Sequence, residues 1–129
     1  MDAGKGAEFA AAWERDWNAH DLEALLAHFA EDVVWTSPVA AHIVAGSDGV
    51  VRGRSQLRDY YETGLRLTPD LHFEVLDVYV GVSTLVINYR NQRGSLVNEV
   101  LIFDGSGMVR EGHGTYSERG PGGAKTATG

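Results

Sequence analysis

A glutamate set among apolar residues on a strand is the first candidate for chemistry in this sequence. In the segment Leu96 to Phe103, Val97, Glu99, Leu101 and Phe103 fall on one side and Leu96, Asn98, Val100 and Ile102 on the other, because strand side chains alternate. An interior carboxyl in such company is hard to ionise, so its pKa rises toward neutrality and Glu99 can donate a proton. In the competing reading Glu99 pairs with an arginine or sits at a wet pocket mouth, and its role is structural. The next strand follows the turn Asp104-Gly105-Ser106-Gly107 and places Gly112, Gly114 and Tyr116 on one face. There it offers bare backbone, and hence room for a ligand. Trp13, Trp17, Trp35, Tyr61, Val97, Leu101 and Tyr116 are the candidate walls, and Ser37 is a candidate polar group among them. An aromatic wall suits a flat, apolar small molecule. The same aromatics at core spacing also read as core, with satisfied hydroxyls on the tyrosines.

These side chains need elements to hold them. Phe9, Trp13 and Trp17 recur every four residues and define a helix face, preceded by six residues without apolar pattern that are expected to fray. Asp21 is a plausible N-cap for a second, short helix with the stripe Leu22, Leu25, Leu26 and Phe29, ending near Glu31. Val33 to Ser37 is rich in β-formers and is stopped by Pro38. Val39 to Gly53 reads either as a small hairpin, His42 to Ala45 with Gly49 to Arg52, or as a long loop. A third helix opens at Ser55, carries Leu57, Tyr60, Tyr61, Gly64 and Leu65 on one side, and closes at Thr68-Pro69-Asp70. Four strands with short turns follow, so neighbours should be antiparallel. This order describes an α+β fold in which a curved antiparallel sheet wraps over three helices. The sheet is apolar on both faces, and helices can cover only one, so a partner subunit is the simplest second cover. Val86, Val100 and Ile102 would form that outer patch of a homodimer.

Composition narrows the function. A chain of 129 residues is expected to form a single domain, over residues 7–117, with residues 118–129 as a flexible Gly-rich tail. Cysteine is absent, which removes thiolate metal sites and thiol nucleophiles and leaves a cytoplasmic protein as the expectation. A net charge of -7, with eleven basic residues that form no run, argues against nucleic acid or an anionic membrane as partner. No targeting segment or membrane span is evident. The five histidines show no metal-ligand spacing, His20 and His28 being too far apart for a one-turn pair, so no metal is expected. His72, Glu74 and His113 have the outward strand phase. His42 and Asp48 could close over a ligand or simply be solvated. Neither Gly105-Ser106-Gly107 nor Gly112-His113-Gly114 has the strand-to-helix setting of a dinucleotide site, and no P-loop or nucleophile elbow occurs, so no cofactor is expected.

The stretches RDWNAHDLEALLAHFAEDVVWTSPVA, RGRSQLRDYYETGLRL and NEVLIFDGSGMVREGHGTYS resemble the SnoaL-like, nuclear transport factor 2-like superfamily, including its ketosteroid isomerase branch. The resemblance implies a cone-shaped, cystatin-like barrel with an apolar pocket between helices and concave sheet, a homodimer, and a polyketide-like or terpenoid-like ligand. It sets Ser37 where the isomerases have a general-base Asp, and Trp13 where they have a Tyr donor. Glu99 matches their second oxyanion-hole acid and Tyr61 a supporting Tyr. With the base gone, steroid isomerisation is disfavoured, since a serine hydroxyl without a histidine cannot take its place at neutral pH. One acid suits cofactor-independent ring closure, dehydration or hydrolysis of a strained ring. The alternative is a domain that only binds a ligand or mediates dimerisation.

Overall fold

The computed structural model describes residues 1–119, so most of the expected tail lies outside the described residues. Helix α1 (Ala3–Asn18) begins earlier than its apolar pattern. Asp2 caps it by accepting the Lys5 amide at 2.8 Å, and the Met1 amino group donates to the Val82 carbonyl at 2.7 Å. The first residues are therefore anchored rather than frayed, because a capped first turn satisfies amides that would otherwise be orphaned. Asp21 caps α2 (Leu22–Leu26) through the Ala24 amide. That helix is only five residues long, and Phe29 opens strand β1 (Phe29–Thr36) instead of closing its stripe.

The segment after β1 holds the expected short strand in its second half, but its first half is a helix, so no hairpin forms between the two halves. Pro38 ends the strand but also starts a helix, α3 (Pro38–Ile43), because a proline at the first helical position has its φ preset and loses no amide bond. Ser37 is the cap, its hydroxyl accepting the Val39 amide at 3.2 Å. Gly46, Asp48 and Gly49, all with positive φ, then turn the chain back into β2 (Val50–Arg52), which pairs with β1. Helix α4 (Arg54–Leu67) buries Leu57, Tyr60, Tyr61 and Gly64 on one side. Strands β3 (Glu74–Val80), β4 (Thr84–Arg90), β5 (Leu96–Phe103) and β6 (Val109–Tyr116) form a meander.

The six strands lie in the order β2-β1-β6-β5-β4-β3, with every pair antiparallel except β1 with β6. That parallel pair joins the two ends of the chain's strand inventory, which no tight turn could do. Register shifts in β1, β3 and at the end of β5 bend the sheet. Its concave face buries Val33, Trp35, Leu85, Ile87, Tyr89, Val97, Glu99, Leu101 and Phe103. Rings from the helices meet it there: Trp13 lies 5.0 Å from Tyr89 and 5.6 Å from Phe73, and Trp17 lies 4.8 Å from Tyr61. On the convex face Val86, Val100 and Ile102 remain only half-buried. The free edge of β3 is blunted by α1, whose Glu14 accepts the Val75 amide at 2.6 Å and whose Asn18 bonds both the amide and the carbonyl of Phe73.

Gly112 faces inward, as strand alternation predicts, but the space above it is filled. A Cβ built there would overlap the six-membered ring of Trp35 and come within 3.3 Å of Leu101. Gly112→Ala is therefore expected to destabilise the fold by about 1–3 kcal/mol through overpacking, measured by urea unfolding. Adding Trp35→Phe, which removes the bulk that the methyl meets, should recover part of that loss. A neutral Gly112→Ala would show that the indole can move away freely.

Candidate functional site

Glu99 sits at the middle of β5, opposite Ile87 on β4 and Gly114 on β6. It is 0 % exposed, and neither carboxylate oxygen has a hydrogen-bond partner among the described residues. Burial without a partner pushes its pKa well above the ordinary carboxylate range, so the neutral acid is the favoured form. Four tyrosines lie within its field: Tyr60 and Tyr61 from α4, Tyr89 from β4 and Tyr116 from β6. Burial is the main cause that raises each phenol, and the Glu99 charge adds to it. Ser37 lies beside the Tyr60 and Tyr116 hydroxyls and works against that rise. Tyr60 and Tyr89 make no hydrogen bond with their hydroxyls among the described residues, which leaves proximity to Ser37 short of a formed bond for Tyr60. Among the described residues the group is one of proton donors, with no adjacent base and no cation to hold a carboxylate.

The candidate residues separate into three settings. Trp13, Trp17, Trp35, Tyr61 and Leu101 are fully buried core, Trp35 packing 5.8 Å from Tyr61 and over Gly112. Val97 and Tyr116 border a cleft of about 310 Å³ at the end of β5 and β6. Ser37 and Gly114 line another, of about 330 Å³, together with Asp48 and Gly49. A cleft of about 510 Å³ opens between residues 43–47, β2 and one side of α4, where Gln56, Asp59, Tyr60 and Thr63 project. Tyr60 and Tyr89 were not singled out by the sequence. Their phase was readable, since Tyr60 follows Leu57 by three and Tyr89 follows Leu85 and Ile87 by alternation, but position on an inward face does not tell which phenol lies within the field of a distant glutamate.

Three of the five histidine side chains have local partners. His113, on the convex face, bridges Thr36 at 2.5 Å and Glu111 at 2.7 Å. His28 lies 3.3 Å from Asp16, and His20 lies 3.0 Å from the Leu71 carbonyl. His42 is exposed at the end of α3. Among the described residues no three His, Asp or Glu side chains converge in a way that would hold a metal ion, and no helix is long and apolar enough to cross a membrane.

A sequence model of the SnoaL-like domain matches residues 9–127. The fold is similar to that of a SnoaL-like protein of unknown function from Burkholderia thailandensis, with 34% identity, a TM-score of 0.86, and coverage of 91% of this chain and 98% of that one. It is also similar to a putative hydroxylase from Streptomyces galilaeus, at 20% identity and a TM-score of 0.68 over 92% of each chain. A putative polyketide cyclase from Sinorhizobium meliloti aligns at 12% identity and a TM-score of 0.66, over 81% of this chain and 90% of that one. At these lower identities the likeness is one of fold. Nothing among curated proteins matches the chain.

Burial of Glu99 makes stability depend on pH in a definite direction. Its folded pKa lies above the ordinary value of 4.5, so the folded state binds the proton more tightly than the unfolded chain does. The resulting stabilisation is fully present below that ordinary value and is lost as pH rises through the folded pKa. Each pH unit in that window costs at most about 1.4 kcal/mol. Urea unfolding from mildly acidic to mildly alkaline pH should show wild type losing stability relative to Glu99→Gln, which has no proton to lose. Parallel pH profiles would mean that Glu99 is solvated or paired in the folded protein.

Proposed function

From the premise that this chain belongs to the SnoaL-like family, we propose that it is a small-molecule pocket protein whose Glu99 donates a proton to an apolar or aromatic ligand, without a cofactor. One observation carries the reading: a carboxyl wholly withdrawn from water, with no partner among the described residues, set amid tyrosine hydroxyls. A neutral acid in that place gives its proton to a ligand oxygen as charge develops there, and the phenols orient that oxygen. The carboxylate left behind is uncompensated, which favours return of the proton within the same turnover. Such a donor serves ring closure, dehydration or opening of a strained ring. Ser37, committed to the Val39 amide, supplies no base for a two-site isomerisation. A ligand-binding protein without turnover is the second reading, favoured by the absence of a base beside Glu99 among the described residues.

Mass spectrometry of an organic extract of the purified protein should identify a retained ligand or product of this class. With it in hand, Glu99→Gln is expected to keep affinity within about tenfold but to lower turnover by at least about 100-fold, because an amide donates a hydrogen bond without releasing a proton. Turnover that survives the change removes Glu99 from the chemistry, and binding without any turnover by wild type supports the second reading. The proposal extends to a homodimer in which a partner covers Val86, Val100 and Ile102. Light scattering at micromolar concentration should report two chains, and a monomer there would leave that face uncovered and refute the extension.

A further inference from the structure

We propose that the cleft between α3, β2 and α4 is an outer recognition subsite for the ligand, and that it selects a non-anionic molecule carrying a hydrogen-bond-donating group on an apolar body. The inference rests on the Glu99 reading only in joining this cleft to the buried acid. Its volume of about 510 Å³ is within the range of small-molecule sites. Ile43, Val44, Val50 and Val51 make one wall apolar, while Gln56, Asp59 and Thr63 line the α4 side with polar groups. These three and Tyr60 stand at helical spacings of three and four, so they form one stripe, with Tyr60 between Asp59 and the interior. Asp59 is the one charged residue among the described lining residues, and the guanidinium of its neighbour Arg58 is held by Glu23. A carboxylated ligand would meet like charge there, whereas a hydroxyl or ammonium group would find an acceptor.

Tyr60 connects the two sites. It lines the cleft, yet it is 1 % exposed, and its hydroxyl, without a partner among the described residues, lies within the field of Glu99. A buried hydroxyl in that state is stabilised by a ligand oxygen that it can donate to. The ligand thus has two polar ends of opposite demand, a donor facing Asp59 and an acceptor facing Tyr60 and the acid beyond it.

The test uses the full chain, uniformly labelled with nitrogen-15, and two probes of matched ring system, neutral 2-naphthol and anionic 2-naphthoate. 2-Naphthol should shift amides within residues 43–51 and 56–63, and 2-naphthoate should bind about tenfold more weakly or worse, the factor expected from one unfavourable charge contact. Asp59→Lys, an exposed helix position, should reverse that preference, and Thr63→Trp should fill the cleft and abolish both titrations. Shifts centred elsewhere, equal affinity for the two probes, or an unchanged preference in Asp59→Lys would overturn the proposal. Turnover is read in Glu99→Gln and probe binding in Asp59→Lys and Thr63→Trp, so that loss of the acid and loss of the cleft remain separate results.

Discussion

The structure depends on a carboxyl that water does not reach. Glu99 is held by register, with Ile87 on one side and Gly114 on the other, so that no rotation of the strand can return it to solvent without also exposing Val97 and Leu101. Leaving such a group ionised would cost several kcal/mol with no cation among the described residues to offset it, and the neutral acid is the resolution. Everything around it agrees with that state. The tyrosines of α4, β4 and β6 bring dipoles instead of charges, and burial keeps them protonated as well.

The aromatic core is what makes this withdrawal rigid. Trp13, Phe73 and Tyr89 form one cluster, with Phe73 and Tyr89 ring centres 4.4 Å apart, and Trp17, Tyr61 and Trp35 form the next. Aromatic pairs of this kind, among them the edge-to-face contacts of Trp13 with Tyr89 and of Tyr61 with Trp17 and Trp35, add about 0.5–1.5 kcal/mol each beyond the area they bury. The two clusters meet at Phe73, a residue just before β3 that also lies 5.3 Å from Trp17 and so packs against two turns of helix α1. A rigid wall of this sort keeps the acid dry. It also means that several of the rings are scaffold, and that Tyr60, Ser37, Gly114, Val97 and Tyr116 are the residues of this group that border the clefts, Tyr116 half-buried and the others buried.

Periodicity made most of the architecture legible. The spacing of Phe9, Trp13 and Trp17 gave a helix, the alternation around Glu99 gave its inward phase, and Asp21 gave a cap, because each of these signals is local. The segment from Pro38 to Gly53 was ambiguous for a physical reason: one proline is both a strand stop and a helix start, and only the capping bond from Ser37 to Val39 decides between them. The likeness of the quoted stretches to the SnoaL-like superfamily agreed with the family match and with the fold. What the sequence did not yield was the occupancy of space. The alternation that turns Gly112 inward is local, whereas the ring of Trp35 that fills its place comes from a strand more than seventy residues away, and the parallel pairing of β1 with β6 that brings them together leaves no local trace.

The central claim is that Glu99 is a neutral acid in the folded protein near neutral pH. Infrared difference spectra between wild type and Glu99→Gln in heavy water measure this directly. The expected result is a protonated carboxyl carbonyl band in wild type that disappears in the variant and persists as pH is raised past the ordinary range for glutamate. A carboxylate stretching band in its place, already present at neutral pH, would contradict the claim.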